Sequence, residues 1–461
     1  MRGVLSFLYR RVELKRVAIS TRSCGLVPGC CLLLLSTPSQ AANWHGAVLT
    51  KLQTDNRYSN NASFFAEAIG RFEFEDKQLG LQSAADVLIR QGNYAFNNRE
   101  DFYRLFIQKT WHALQTTLKA GRFEQTDSMG FYTLNGASAV WQNAQHDTSI
   151  EAYGGMPQRF DDLDSVKGDL VLGVKATLLQ RPQWHSDWLR LSLDTVDWRL
   201  GYQYFAGQDM SRYIPSTQRN TLTATGNKFA LGVSIEGQID GSWAKKYSAR
   251  LLEVYRVDTH TLEDAQVEGQ LDLSKATRVR GTYEYYRPDR FANPTFREQF
   301  YSQYGFGKQD LFKLSLHQRW QDAIDYAVGG IYTTRPNGDA GYGFNASVSA
   351  KLSRDTKTGV EFDHVQVGKD DVSALYVKNE FFVDSRNSVL LSAALRREDK
   401  VLYGENWVKG VETRWNYALQ NNIVIGVTAN YIWNSTIQNE YLGALQVTYY
   451  FDNFKPKAAH D

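Results

Sequence analysis

Between Tyr441 and Phe451 the chain changes character at every residue. Tyr441, Gly443, Leu445, Val447, Tyr449 and Phe451 share one parity, and Leu442, Ala444, Gln446, Thr448 and Tyr450 share the other. A side-chain period of two puts the first set on one face of a strand, almost wholly apolar and ending in aromatics, and the mixed set on the opposite face. The pattern recurs along the chain. Phe64, Ala66, Ala68, Gly70, Phe72 and Phe74 oppose Glu67, Arg71, Glu73 and Glu75. Phe229, Leu231, Val233, Ile235 and Ile239 oppose Lys228, Ser234, Glu236 and Gln238. Tyr342, Phe344, Ala346, Val348, Ala350 and Leu352 oppose Asn345, Ser347, Ser349 and Lys351.

Such alternation also occurs in soluble sandwiches; the number of repeats and the aromatics near strand ends separate the two cases. A strand with lipid on one side and water on the other averages to a polar-looking chain. The mean hydropathy is −0.45 although 43% of residues are hydrophobic, and no run approaches the ~18–20 apolar residues of a membrane helix. Pro157, Pro182, Pro215, Pro288, Pro294, Pro336 and Pro456 are expected to fall outside the strands, because proline cannot donate to a ladder. Lys109 is an exception on an otherwise apolar stripe.

The connections alternate in length. Those around Asn421, Arg386, Asp355, Asp322, Ser274 and Gly241 are short. Those at 398–406, 334–341, 287–308, 257–263 and 207–225 are generally longer. The fold class that follows is all-β, a single closed antiparallel transmembrane β-barrel of about 22 strands, within a range of roughly 18 to 24. Two stretches are ambiguous: 137–156, and 186–206, where the apolar parity flips between Leu193 and Trp198. Residues 42–451 form the expected barrel.

Residues 1–41 read as an export signal. Arg2, Arg10, Arg11, Lys15, Arg16 and Arg22 make a basic leader, Leu26–Leu35 an apolar core, and Ser39-Gln40-Ala41 a cleavage site. Cys24, Cys30 and Cys31 all lie in this segment, so the expected mature chain has no cysteine to oxidise during export. Extended chain beginning at Trp44 leaves no room for an N-terminal plug, and 452–461 form a C-terminal periplasmic tail. The expected location is the outer membrane. The expected partners are outer-membrane lipid, the barrel-assembly machinery and a diffusing solute of unknown identity; the formal charge of +2 gives no reason to expect nucleic acid.

With its aromatic end and export signal, the Tyr441–Phe451 stretch resembles the closing strand of Gram-negative outer-membrane barrels. That resemblance implies an assembly role for Phe451. Leu118-Lys119-Ala120-Gly121-Arg122, with Gly136, Trp141 and Gly201-Tyr202-Gln203-Tyr204-Phe205-Ala206-Gly207, is similar to the Gly-Arg strand and tyrosine-rich strand of alginate-export-type barrels. Phe123 stands where that family often has glutamine. The resemblance implies passage of an anionic polysaccharide or another solute through an arginine-lined pore.

No phosphate-binding Gly-Lys-Ser/Thr loop, Gly-x-Ser-x-Gly elbow, His-Glu-x-x-His helix or haem-attachment motif occurs, and the histidines are scattered without ligand spacing. No catalytic, metal or cofactor residues are assigned. The candidate pore lining is Glu268, Asp272, Arg278, Arg280, Glu284, Lys313, His317 and Arg319, which share one parity on three neighbouring strands. A salt-bridged lattice stiffening the wall accounts for the same residues. A loop constriction is expected from Arg290, Arg297, Tyr301 and Tyr304 in 289–308, whose aromatics and arginines suit stacking on sugars as well as packing on the rim. The expected function is a porin-like channel passing a small or anionic solute, saccharides included. Alternatives are a scaffolding barrel occluded by its loops and, behind it, a barrel-embedded hydrolase.

Overall fold

A computed structural model describes residues 42–451 except 57–62, 94–98, 128, 159–169, 189, 207–224, 241–243, 259, 287–308, 322, 335–338, 401–403, 421 and 435–438. The expected signal segment, the C-terminal tail and the loop residues Arg290, Arg297, Tyr301 and Tyr304 lie outside the described residues. The first strands are β1 (Ala42–Asp55), β2 (Ser63–Asp76), β3 (Leu81–Gly92), β4 (Arg99–Trp111), β5 (Thr116–Asp127), β6 (Gly130–Asn143), β7 (Thr148–Gln158) and β8 (Leu170–Gln180). Then come β9 (Trp184–Ser186), β10 (Leu191–Ala206), β11 (Thr225–Ile239), β12 (Lys246–Arg256), β13 (Thr261–Asp272), β14 (Thr277–Tyr286), β15 (Gln309–Trp320) and β16 (Ile324–Thr334). The wall ends with β17 (Ala340–Ser353), β18 (Thr356–Val367), β19 (Asp370–Phe382), β20 (Asn387–Lys400), β21 (Gly404–Gln420), β22 (Ile423–Asn434) and β23 (Glu440–Phe451).

Every pair in this wall is antiparallel, and β1 pairs with β23 from Gly46↔Phe451 to Asp55↔Leu442, which closes the sheet. Closure removes all sheet edges, so every ladder group of the spanning wall has a partner without water. The three-residue β9 continues the line of β8: residues 184–186 pair with Leu191–Leu193 of β10, and β8 pairs with Val196–Ala206. The barrel is therefore one of 22 spanning strands plus this extra piece, matching the count expected from the alternation.

Both ambiguous stretches resolve. Residues 137–156 hold the β6–β7 hairpin. The parity flip in 186–206 is a register shift between Leu193 and Thr195 of a single strand, β10. A bulge inserts one residue and so exchanges the two faces beyond it. One expectation about proline is corrected: Pro157 is the penultimate residue of β7. There it pairs with Leu134 of β6 near the end of the strand, a position where proline is tolerated.

The outward parity carries the apolar belt. Leu52, Phe72, Leu105, Leu172, Leu314, Phe344, Val411 and Leu445 are all exposed large hydrophobics, a surface that only lipid can cover. Lys109, an outward cation, sits at the short-turn rim, where its Nζ donates to the Leu79 carbonyl and lies 5.9 Å from the Trp111 ring centre. It reaches the interface as a snorkelling side chain does.

Phe451 earns its place in the closing seam. Its ring lies 5.6 Å from that of Phe72 on β2 and 6.2 Å from Tyr449, passing over Gly46 on β1. A Cβ on Gly46 would come within 2.7 Å of Phe451 Cε2 and would also strike the Arg71 carbonyl oxygen. Glycine at 46 is what lets the last ring bridge β1 to reach β2.

Candidate functional site

The inner face is polar, and its burial changes along the barrel axis. Toward the long-connection rim, inward residues are covered: Asp55, Glu67, Phe123, Leu134, Val171, Gln203, Arg396 and Glu398 are all under a tenth exposed. Toward the short-turn rim Arg278, Arg280 and Arg319 are about half exposed. There a cavity of about 710 Å³ lies against the wall, lined by residues that include Gln270, Asp272, Arg278, Arg280, His317, Arg319, Asp325, Glu361 and Lys378.

The expected lining residues fall on one inward face because the ladders run in register. Asp272 is opposite Arg278, Arg278 opposite His317, and Arg319 opposite Asp325. Arg278 donates through Nε to Asp272 Oδ1 at 2.8 Å, and Arg280 through Nη2 to Glu268 Oε2 at 2.8 Å. Arg319 Nε meets Asp325 Oδ1 at 2.8 Å, and His317 Nε2 lies 2.9 Å from Ser315 Oγ. The side chains of Arg278, Arg280 and Arg319 remain 52%, 45% and 57% exposed, so these cations are paired and wet at once. Lys313 is exposed on the same face, opposite Thr282 and Ile331. Glu284 is half-buried, between Gln266 and Leu311.

Sequence reasoning stopped this cluster at residue 319. The cavity continues through Asp325, Glu361 and Lys378 on β16, β18 and β19. Their inward parity is readable in the sequence; their level on the wall depends on strand register, which is not.

A second constellation also escaped. Glu73 on β2 receives His45 Nε2 at 2.9 Å and Arg104 Nη2 at 2.7 Å, and Arg104 also binds Asp86 through Nε at 2.7 Å. This ladder ties β1, β2, β3 and β4 together beside the closing seam. A related pair, Arg90 and Glu67, joins β2 to β3, with the Arg90 guanidinium 4.8 Å from the Phe65 ring centre.

The arginine of the Gly-Arg motif lies on the outer face. Arg122 shares the outward parity of Leu118 and stands opposite outward Leu105. Its Nε donates to Asn135 Oδ1 at 2.8 Å and its Nη1 to the Phe102 carbonyl. The neighbouring Phe123 is the residue that turns inward. It packs with Leu134, Tyr153 and Val171, bordered by Phe106 and Phe205, and Lys119 Nζ lies 5.5 Å from its ring centre.

Among the described residues no group of His, Cys, Asp or Glu is placed to hold a metal ion, and no helix is long and apolar enough to cross a membrane. No protein-family model matches the chain, and no curated protein matches it. Solved structures do. The siderophore receptor PirA from Acinetobacter baumannii superposes with a TM-score of 0.53 at 8% identity, over 90% of this chain and 81% of the receptor. A BenF-like porin from Pseudomonas fluorescens Pf-5 gives 0.43 at 8% identity, over 89% and 99%. OccK2 (OpdF) of Pseudomonas aeruginosa gives 0.41 at 11% identity, over 90% and 98%. At these identities the likeness is one of fold. The apolar belt, the closed ladder and the likeness to PirA together define a membrane-spanning β-barrel of the outer-membrane type.

Proposed function

We propose that this protein is a passive conduit of the outer membrane, with its short-turn rim facing the periplasm and its long connections facing outward. One observation carries the reading: a polar, ion-paired cavity of about 710 Å³ opens on the inner wall of a barrel whose outside is apolar. A wall of this kind lowers the cost of moving a hydrated solute through the hydrocarbon layer. The solute class is small and polar. The half-exposed Arg278 and Arg280 beside Lys378 favour anions, since fixed positive charge in a confined lumen concentrates counter-charge.

The test is reconstitution of the purified barrel in planar lipid bilayers. The conduit predicts stable single-channel current steps. A folded barrel that never conducts would favour an occluded scaffold, a reading the buried inner face at the long-connection rim gives some ground for.

A further inference from the structure

Cations on the lipid side of the wall stand out, because that face is otherwise apolar. Lys109 donates to the Leu79 carbonyl at the short-turn rim. Arg122 donates to Asn135, and Arg397 to Glu405, both at 2.8 Å. Lys409 of β21 faces outward as well, opposite Leu395 of β20 and Trp433 of β22. It is exposed, and among the described residues it has neither a hydrogen bond nor an ion pair.

A bare ammonium is costly against hydrocarbon and is tolerated only near an interface. The neighbours of Lys409 place it at one. Trp407 stands two residues nearer the long-connection end of β21, and Trp433 is the cross-strand partner. The Trp433 ring lies 4.3 Å from that of Tyr431, and the Trp407 indole donates to Glu405 at 3.2 Å. Outward tryptophans and tyrosines mark the depth of the lipid headgroups. Lys409 therefore lies at headgroup level on the long-connection side, across the membrane from Lys109.

A groove adjoins it. Leu395, Trp407, Val411 and Trp433 wall a cavity of about 680 Å³ on the outer face, which Ala393 and Lys409 also line. Ala393 stands opposite Val411 and is too short to fill the space. Val411 and Trp433 are each 44% exposed, so no described residue closes over the groove. The acidic residues of this face are set apart from the cation. Asp371, Asp399 and Glu405 form one cross-strand row at the rim. Glu405 is about 13 Å along the strand from Lys409 and is held by Arg397. Cation and groove together suit a molecule with a negative head and a hydrocarbon tail.

We infer that this site holds one phosphorylated, acylated glycolipid of the outer leaflet, with its phosphate on the Lys409 ammonium and an acyl chain in the groove. Phosphate oxygens accept charge-assisted hydrogen bonds from lysine, and the groove offers the chain apolar surface that a headgroup alone would not use. The inference rests on the conduit reading only for the leaflet that the long connections face. Binding itself is measured without any transport.

The test titrates the detergent-purified barrel with diphosphoryl lipid A and reads the bound fraction by native mass spectrometry. Every variant is first screened for folded, heat-modifiable migration in gels. Lys409→Gln should weaken binding about fivefold, the worth of one basic residue at an anionic lipid surface, and Lys409→Arg should retain it. Ala393→Leu fills the groove while keeping the cation, and should weaken binding too. Lys109→Gln, at the opposite rim, should leave it unchanged. Lipid A stripped of its phosphates should bind wild type and Lys409→Gln alike. Equal affinity of wild type and Lys409→Gln for diphosphoryl lipid A would overturn the inference. So would phosphatidylglycerol binding as tightly as lipid A, which would make the occupant any anionic lipid. A barrel that binds lipid A as expected but never conducts would overturn the conduit reading and leave the lipid site standing.

Discussion

Gly46→Ala probes how the cylinder closes. The added methyl meets two obstacles, the Arg71 carbonyl oxygen and the Phe451 ring, the latter with Cε2 at 2.7 Å. Overpacking of this kind costs about 1–3 kcal/mol, and the backbone contact puts Gly46→Ala in the upper part of that range. Phe451→Leu removes the ring and with it the contact to Phe72, worth about 0.5–1.5 kcal/mol. Only the ring's share of the glycine penalty can be relieved, since the Arg71 carbonyl stays. In the Phe451→Leu background the cost of Gly46→Ala should therefore fall by about 1 kcal/mol, a coupling typical of residues in direct contact. Urea unfolding of the barrel in phospholipid vesicles, followed by tryptophan fluorescence, measures all four corners of the cycle. Strict additivity would refute the seam geometry, because it would mean that the ring does not lie over Gly46. The same assay addresses the assembly role of Phe451: Phe451→Asp should lower the folded fraction, while removal of 452–461 should leave it unchanged.

Three further outcomes are expected. Arg104→Gln should lower the unfolding free energy by on the order of 2–3 kcal/mol, between the ranges for exposed and buried pairs, because it leaves Asp86 buried and uncompensated; adding Asp86→Asn should restore part of the loss. Replacing Arg278 and Arg280 with glutamine should move the reversal potential in a salt gradient toward cation preference, and an unchanged potential would remove them from the selective part of the path. At the β19–β20 turn, Asp384 accepts from Asn387 Nδ2 at 2.6 Å and from the amides of Arg386 and Asn387 at 2.6 and 2.9 Å, which hold its carboxyl below its ordinary 3.8. A depressed folded-state pKa gives stability that is present above the unfolded value and lost as pH falls through the folded one. Asp384→Asn should thus weaken the turn at neutral pH and leave less acid sensitivity below about pH 4, read as the pH dependence of the urea midpoint.

The architecture was legible because the period of two is a local property. Tyr441–Phe451 announces its two faces without reference to any other strand, and the alternation of short and long links counts the hairpins. Register and curvature are not local, and the surprises came from them. The parity flip between Leu193 and Trp198 is one bulge in β10, which only the pairing with β8, β9 and β11 reveals. Asp325, Glu361 and Lys378 join the cavity because three ladders place them at the height of Arg278 and Arg319. The internal cluster at Phe123 carried a signal that sequence reading did not use: inward positions at 123, 134, 153 and 171 break the polar rule of a wet lumen. Phe123, standing where glutamine was expected, was the visible part of that break.

The charged residues of the inner face differ in exposure with depth along the axis. Arg278, Arg280 and Arg319 are half-exposed, and exposed pairs contribute about 0–1 kcal/mol each. Removing them would scarcely loosen a barrel already closed by a full ladder, so stiffness is a weak reason for their presence. What they do supply is a row of cations held in place by carboxylates and facing water, which is the arrangement that shapes the potential of a lumen. Glu67, Asp86 and Glu398 are different, since each is buried and stripping its arginine would leave an unpaired charge. Charge near the short-turn rim faces water, while charge toward the long-connection rim is buried and joins neighbouring strands. The same residue types thus stand in two environments, sorted by how far each lies from open water.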